Sequence, residues 1–177
     1  MSVKKVLVIG AGQMGSGIAQ VCAQSGYEVI LNDIKEEAVE KGLANIERLL
    51  SRNVEKERMT EEEKNEVLSR ISKSTDLKAA AQDIDLAIEA VIENVNIKKD
   101  IFRQLDENAP EHAILATNTS SLPITDIASV TNRPEKVIGM HFMNPVPVMK
   151  LVEIIRAIQT SDETYEAIAD MTKKLYK

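Results

Sequence analysis

The sequence predicts an α/β protein in which helices cover both faces of a doubly wound, mostly parallel sheet. Short apolar runs alternate along the chain with amphipathic stretches at helical spacing, which is the order of elements in such sheets. The first run, residues 6–9, is apolar throughout, as expected of a strand that is buried on both faces. No linker or repeat divides the sequence, so we expect one domain over residues 1–177.

The remaining strands are short apolar segments that end at polar or turn-forming residues. Predicted strands cover residues 28–32, 71–75, 85–91, 113–117, 137–141 and 151–156. The helices have apolar residues at helical spacing, and two begin at capping boxes, Thr60 with Glu63 and Thr160 with Glu163. Predicted helices cover residues 13–24, 35–53, 60–70, 76–81, 96–108, 124–129 and 160–177.

The second and third helices carry many charged side chains and are joined by a short turn. We expect them to form an antiparallel hairpin that protrudes from the sheet. On the simplest interpretation, the charged run is a solvated helix face. The alternative is that the basic residues bind an anionic substrate tail. These basic residues are Arg48, Arg52, Lys56 and Arg58.

The turn after the first strand carries a glycine motif, G-x-G-x-x-G, formed by Gly10, Gly12 and Gly15. The first glycine allows a tight turn, the second lets backbone N–H groups approach a pyrophosphate, and the third lets the next helix pack closely. Asp33 ends the second strand about 20 residues further on, where a carboxylate binds the adenosine ribose and repels a 2′-phosphate. The pattern predicts a Rossmann-type site for NAD. The alternative is an ordinary turn in which the glycines serve packing and Asp33 caps a helix.

Composition excludes several other classes of function. A net charge of −6 and an aromatic content of 3% argue against nucleic-acid binding. No apolar run approaches the roughly 20 residues of a membrane span, and the sequence enters a strand without a signal peptide. One cysteine and two distant histidines are too few for a zinc site. We expect Cys22 to be a buried thiol and the protein to be cytoplasmic.

A histidine and a carboxylate are spaced so that they can meet. His141 ends an apolar strand, and Glu153 lies in the strand after the next turn. Such a carboxylate fixes the imidazole tautomer, and the other ring nitrogen can then exchange a proton with a substrate hydroxyl, as hydride transfer requires. The alternative is a structural pair at the edge of the core. Further polar residues follow other predicted strands: Glu93, Asn118, Ser120 and Asn144.

Four segments together resemble the NAD-binding domain of the L-3-hydroxyacyl-CoA dehydrogenase family, and in particular its bacterial 3-hydroxybutyryl-CoA members. They are GAGQMGSGIAQVCAQSGYEVILND, EAVIENVNIKKDIF, LATNTSSLPIT and VIGMHFMNPVPVMKLVEII. The last segment is far more specific than the glycine motif, and the resemblance covers nearly the whole chain.

The resemblance implies roles for individual residues. His141 is implied to be the catalytic acid and base, Glu153 to orient it, and Ser120 to bind the 3-oxygen of the substrate. Asn144 is implied to complete the catalytic centre, and the CoA moiety is implied to contact Arg52 and Lys56. The residues implied for NAD are Gly10, Gly12, Gln13, Met14, Gly15, Asp33, Glu93, Lys98, Ser120 and Asn144.

The implied reaction is the reversible conversion of an (S)-3-hydroxyacyl-CoA and NAD to a 3-oxoacyl-CoA and NADH. In the family, a helical C-terminal domain follows and carries a catalytic asparagine and most of the interface of the homo-oligomer. We therefore expect these 177 residues to bind NAD, to catalyse weakly and to expose apolar surface. Two alternatives remain open: a related dehydrogenase of sugar acids, and a non-catalytic NAD-binding or redox-sensing module.

Overall fold

A single mixed sheet forms the centre of the chain in the computed structural model, which describes residues 2–119 and 121–176. In chain order the strands are β1 (Lys5–Ile9), β2 (Glu28–Asn32), β3 (Ile71–Ser74), β4 (Leu86–Glu89), β5 (Ile114–Thr117), β6 (Val137–Phe142) and β7 (Val152–Arg156). The α-helices are α1 (Gln13–Gln24), α2 (Glu36–Glu55), α3 (Glu61–Ser69), α4 (Leu77–Ala80), α5 (Val95–Asn108), α6 (Ile124–Ala128) and α7 (Asp162–Leu175). The predicted elements are confirmed, with ends that differ by at most about two residues, as is usual for helix and strand termini.

The strand order is β3-β2-β1-β4-β5-β6-β7, and every pair is parallel except β6 with β7. The chain begins in the middle at β1, runs outward to β3, and then returns to β4 on the other side of β1. This arrangement confirms the predicted doubly wound sheet. The order reverses between β1 and β4, so their carboxyl ends border a crevice of the kind in which such sheets bind ligands.

Two apolar layers lie on opposite faces of the sheet. Val6 and Val8 of β1 pack against α1, α2, α3 and α7, whereas Leu7 and Ile9 pack against α4, α5 and α6. The side chains of residues 6–8 are completely buried, as predicted from the apolar run. Cys22 is buried in the first layer, also as predicted, and burial raises the pKa of its thiol to about 12.

The predicted helical hairpin is present, and one face of it packs on the core. Val39, Ile46 and Leu50 of α2 belong to the core, and Val67 of α3 joins them. The apolar stripe of α2 thus joins the core, whereas none of residues 51–66, at the far end of the hairpin, is buried. The capping box is confirmed: the backbone N–H of Glu63 donates to Thr60 Oγ1 over 3.1 Å, and Glu63 Oε1 accepts from the backbone N–H of Thr60 over 3.1 Å.

The predicted capping box at the last helix is wrong. Helix α7 begins after Ser161, whose Oγ accepts from the backbone N–H of Thr164 over 3.1 Å. Thr160 instead accepts from the backbone N–H of Ala157 over 2.8 Å and donates to the carbonyl oxygen of Val137 over 2.7 Å. Both residue types can cap a helix. The contact with β6 selects Ser161 as the cap, because it holds the Thr160 hydroxyl elsewhere.

A buried arginine ties together loops at the amino end of β5. Arg133 Nε donates to Asp106 Oδ1 over 2.8 Å, and both side chains are 9% exposed. The guanidinium also donates to four backbone carbonyl oxygens, those of Asp106, Ala109, Pro110 and Ala113. This cluster lies at the edge of the sheet opposite the glycine turn.

Asp85 links three segments at the same amino edge. Its Oδ2 accepts from the backbone N–H groups of Lys4 and Lys5 over 2.9 and 3.0 Å, and its Oδ1 accepts from Nε2 of the exposed His112 over 2.8 Å. Burial raises the pKa of Asp85, but the hydrogen bonds from His112, Lys4 and Lys5 outweigh burial and lower it below its usual value.

We predict that Asp85→Asn destabilises the chain at neutral pH and that this loss shrinks in acid. A carboxyl group with a lowered folded-state pKa contributes stability above its unfolded pKa of about 4 and loses that contribution as the pH falls through the folded value. Urea unfolding of both proteins between pH 7 and pH 3 measures the difference. A difference that stays constant down to pH 3 would show that ionisation of Asp85 is not involved.

Candidate functional site

The turn after β1 lies directly against the start of α1. A Cβ atom on Gly15 would lie 1.6 Å from the carbonyl oxygen of Gly10, and a Cβ on Gly10 would lie 2.7 Å from the carbonyl oxygen of Ala90. Gly10 has a φ of +102°, which favours glycine. Gly12 is different, because no atom lies within 4 Å of its Cβ position. A side chain therefore does not fit at Gly10 or Gly15. At Gly12 the space is open, so a ligand can approach the start of α1.

This open helix end fits a pyrophosphate. Gly12 is the N-cap of α1, and within residues 2–119 and 121–176 no side-chain cap hydrogen bond closes the first turn there. Gln13 is exposed and Met14 half-buried in that turn. Unpaired N–H groups and the positive end of the helix dipole favour an anion at such a position.

Asp33 lies beside the same turn. Its Oδ2 accepts from the backbone N–H of Ala11 over 2.9 Å, and its Oδ1 accepts from the backbone N–H of Lys35 over 3.2 Å. These bonds fix a half-buried carboxylate next to the glycines. An ionised carboxylate has about four acceptor positions, so acceptor capacity remains for ribose hydroxyls.

A cleft of about 710 Å³ opens between the glycine turn, α2 and the loop after β6. Helix α2 contributes Lys41, Asn45 and Arg48, and the Arg48 guanidinium donates to Asn45 Oδ1 over 2.6 Å. Arg52 and Lys56, the two hairpin residues implied for CoA, do not line this cleft; both are exposed, Arg52 in the last turn of α2 and Lys56 at its C-cap. The charge pattern does not show which of the basic residues of the hairpin lines the cleft, because that depends on which face of α2 is buried.

His141 and Glu153 meet as their spacing predicts. They lie directly opposite each other in the antiparallel β6–β7 pair, and His141 Nδ1 is 3.3 Å from Glu153 Oε1. The imidazole is 22% exposed and the carboxylate 57% exposed, so the pair lies at the surface of the domain and not in its core. Pairing through Nδ1 directs the tautomer and leaves Nε2 to a substrate.

The loop after β6 returns to the glycine turn. Gln13 Nε2 donates to Asn144 Oδ1 over 3.1 Å, which brings Asn144 beside the helix end. The side chain of Asn118 reinforces this region, since its Oδ1 accepts from the backbone N–H of Phe142 over 2.8 Å. The Asn118 contact thus ties the loop after β5 to the residue that follows His141. Ser120, the residue implied to bind the substrate oxygen, lies outside the described residues.

A buried ion pair lies beneath the crevice between β1 and β4. Lys98 Nζ is 2.6 Å from Glu89 Oε2, and Lys98 also contacts the carbonyl oxygen of Val91 over 3.2 Å and Glu93 Oε1 over 3.3 Å. The side chain of Lys98, which is implied to contact NAD, is only 1% exposed, and its ammonium group contacts protein oxygens. Sequence reasoning missed Glu89. A glutamate inside the apolar segment of residues 86–91 was the available signal, because a buried carboxylate requires a partner.

Glu93 joins this pair to the loop after β5. Its Oε2 accepts from Thr119 Oγ1 over 2.6 Å and from Ser121 Oγ over 2.9 Å. Burial raises the pKa of Glu93, but the hydrogen bonds from Thr119 and Ser121 and the charge of Lys98 outweigh burial and lower it. Glu93 is thus an anion whose position depends on both loops.

The described residues 2–119 and 121–176 contain neither a helix long and apolar enough to cross a membrane nor a cluster of three metal-ligating side chains.

Comparison with known proteins identifies the family. Residues 5–177 match the family model "3-hydroxyacyl-CoA dehydrogenase, NAD binding domain". The chain belongs to the 3-hydroxyacyl-CoA dehydrogenase family. It is an NAD-binding domain of that family, which confirms the cofactor predicted from the glycines and Asp33.

Individual relatives agree with this assignment. The chain is 52% identical over 177 residues to the probable 3-hydroxybutyryl-CoA dehydrogenase of Bacillus subtilis, covering 100% of this chain and 61% of that protein. It is 46% identical to the mitochondrial hydroxyacyl-coenzyme A dehydrogenase of Homo sapiens, covering 99% and 57%. The crystal structure of (S)-3-hydroxybutyryl-CoA dehydrogenase from Ralstonia eutropha superposes with a TM-score of 0.96 at 46% identity, covering 99% and 62%. The chain thus spans about three-fifths of the length of these relatives.

We predict that two glycine substitutions separate cofactor binding from folding. Gly12→Ala adds a methyl group in open space, so the melting temperature stays unchanged while the dissociation constant for NADH rises about tenfold, as a blocked pyrophosphate approach implies. Gly15→Ala forces a clash with Gly10 and lowers stability by about 1–3 kcal/mol or more. NADH fluorescence titration and thermal unfolding measure both quantities. Unchanged NADH affinity in Gly12→Ala, or unchanged stability in Gly15→Ala, would contradict this assignment.

Proposed function

We propose that this domain is part of an NAD-dependent dehydrogenase that interconverts (S)-3-hydroxyacyl-CoA and 3-oxoacyl-CoA, with 3-hydroxybutyryl-CoA as the preferred class of substrate. The observation that carries the proposal is the His141–Glu153 pair, held on β6 and β7 next to a loop that reaches the NAD turn through Asn144. The names of the relatives with 52% and 46% identity support the substrate class.

In the direction of oxidation, His141 Nε2 takes the proton from the 3-hydroxyl group of the substrate. Glu153 accepts the Nδ1 hydrogen bond, which orients the ring and stabilises the imidazolium that forms. NAD, when bound, supplies the hydride acceptor. In the direction of reduction, His141 returns the proton to the 3-oxygen, and Ser120 is proposed to bind that oxygen.

The anionic tail of the substrate is proposed to lie along the α2 side of the cleft. Lys41 and Arg48 place two cationic groups there, and Asn45 holds the Arg48 guanidinium over 2.6 Å. Such groups complement phosphates by charge and by hydrogen bonding. Arg52 and Lys56 remain the alternative that the resemblance implies.

We propose that catalysis by these 177 residues alone is slow. The chain covers 61% of the Bacillus subtilis relative, and in the family the C-terminal domain carries a catalytic asparagine. Loss of one preorganised hydrogen-bond donor to a substrate oxygen costs about 2.7–4 kcal/mol. Exposed apolar side chains before, on and after β7, those of Leu151, Ile155 and Ile158, fit the expected surface for further contacts. Homo-oligomer formation and a cytoplasmic location remain predictions.

We predict that NADH oxidation with acetoacetyl-CoA depends on His141. His141→Ala should abolish turnover, and Glu153→Gln should lower kcat about 100-fold, because general acid–base catalysis contributes about 10²–10⁴-fold. NADH binding by both variants, measured by fluorescence, should match that of the unmodified chain.

Three results would contradict the proposal. Turnover that survives in His141→Ala would exclude this residue as the acid. NADH binding without any His141-dependent turnover, even with a relative's C-terminal domain supplied, would favour a non-catalytic module. Faster turnover of a free 3-hydroxy sugar acid than of the CoA thioester would favour the sugar-acid dehydrogenase.

We predict that Arg48→Ala raises the KM for acetoacetyl-CoA about tenfold with little change in kcat, because the tail contact is made equally in the ground state and the transition state. Arg52→Ala is the matched control, one helical turn further along α2, and should leave KM unchanged. A larger effect of Arg52→Ala would show that the CoA contact lies outside the cleft.

A further inference from the structure

Glu89 and Lys98 form a buried ion pair next to the NAD crevice. Both side chains are almost completely buried, at 0% and 1% exposure, and Lys98 Nζ lies 2.6 Å from Glu89 Oε2. The free energy needed to remove two charges from water offsets the free energy gained from their attraction. A buried pair is therefore weak evidence for a gain in stability. Its position is more informative. Glu89 ends β4, the strand beside β1 at the point where the strand order reverses.

The pair holds the backbone of the loop that follows β4. The N–H of Val91 donates to Glu89 Oε2 over 2.8 Å, and the carbonyl oxygen of Val91 accepts from Lys98 Nζ over 3.2 Å. The preceding residue, Ala90, forms the wall against the glycine turn, because its carbonyl oxygen lies 2.7 Å from the Cβ position of Gly10. A shift of Val91 would therefore move a wall of the NAD crevice.

The same carboxylate reaches the loop that follows β5. Thr117 Oγ1 donates to Glu89 Oε1 over 2.6 Å and accepts from the backbone N–H of Thr119 over 3.3 Å. Lys98 contacts Glu93, which in turn accepts from the hydroxyl group of Thr119 over 2.6 Å. These contacts close a ring of hydrogen bonds and ion pairs between the two loops.

We infer that Glu89 is a positioning residue for the NAD crevice, which acts through Lys98, Val91 and Thr117 to hold the loops after β4 and β5 in one arrangement. It touches neither cofactor nor substrate, since its carboxylate is enclosed by protein groups. The inference rests on NAD binding by this domain and is independent of the proposed substrate.

The test compares two nearly isosteric variants with a matched control. Glu89→Gln removes the charge that holds Lys98, and Thr117→Val removes the hydroxyl group that Glu89 accepts from, while the groups facing the crevice stay unchanged. Asp106→Asn is the control, because it neutralises a carboxylate that is also paired with a buried cation, Arg133, but at the opposite edge of the sheet. The dissociation constant for NADH is measured by fluorescence at a temperature at which each variant is folded by circular dichroism.

Glu89→Gln is expected to raise the dissociation constant for NADH about tenfold and Thr117→Val about threefold, as loss of hydrogen bonds to charged groups implies. Asp106→Asn is expected to lower the melting temperature without changing NADH affinity. Hydrogen exchange provides a second readout that needs no cofactor: Glu89→Gln and Thr117→Val should accelerate exchange in residues 91–94 and 117–119, and Asp106→Asn should not.

Two results would overturn the inference. The first is NADH affinity within twofold of the unmodified chain in both Glu89→Gln and Thr117→Val, with unchanged exchange in the two loops. The second is an equal loss of NADH affinity in Asp106→Asn, which would show a general effect of instability. If the unmodified chain bound no NADH, the cofactor assignment would fail, and hydrogen exchange would still decide whether Glu89 holds the loops. Should Glu89→Gln not fold, Thr117→Val decides alone.

Discussion

The close approach of helix α1 to the turn after β1 is the constraint on which the rest of the structure depends. The Cβ position of Gly15 is 1.6 Å from the carbonyl oxygen of Gly10, so the contact exists only because no side chain is present. This contact sets the distance between α1 and the sheet and points the uncapped end of α1 at the crevice beside β4. The position of Asp33, whose carboxylate accepts from the backbone N–H of Ala11, follows from the same turn.

Polar side chains concentrate where parallel strands end together. Backbone groups beyond the last ladder hydrogen bond need partners, and polar side chains supply them: the buried Glu89 accepts from the N–H of Val91, and the half-buried Asn118 accepts from the N–H of Phe142. Lys98 compensates the charge of Glu89 where both side chains are almost completely buried. The loops that form the NAD crevice therefore rest on a hydrogen-bonded layer that is itself part of the core.

The antiparallel strand β7 has a different role from the parallel strands. A parallel neighbour would enter the sheet through a crossover, whereas β7 follows β6 after the loop of residues 143–151 and places Glu153 directly opposite His141. The same loop carries Asn144 back to Gln13 at the start of α1. One local connection thus joins the proposed proton-transfer pair to the cofactor site.

The sequence by itself determined the order of strands and helices, the glycine turn with Asp33, and the meeting of His141 with Glu153, because each depends on local periodicity or on short spacing. Tertiary structure alone decided which apolar face of α2 joins the core, and hence that Arg48 lines the cleft whereas Arg52 does not. It also decided that Ser161 and not Thr160 caps α7, and that Lys98 is buried against Glu89. These outcomes depend on contacts between residues that are distant along the chain or on a choice between chemically equivalent neighbours, and a local pattern contains neither.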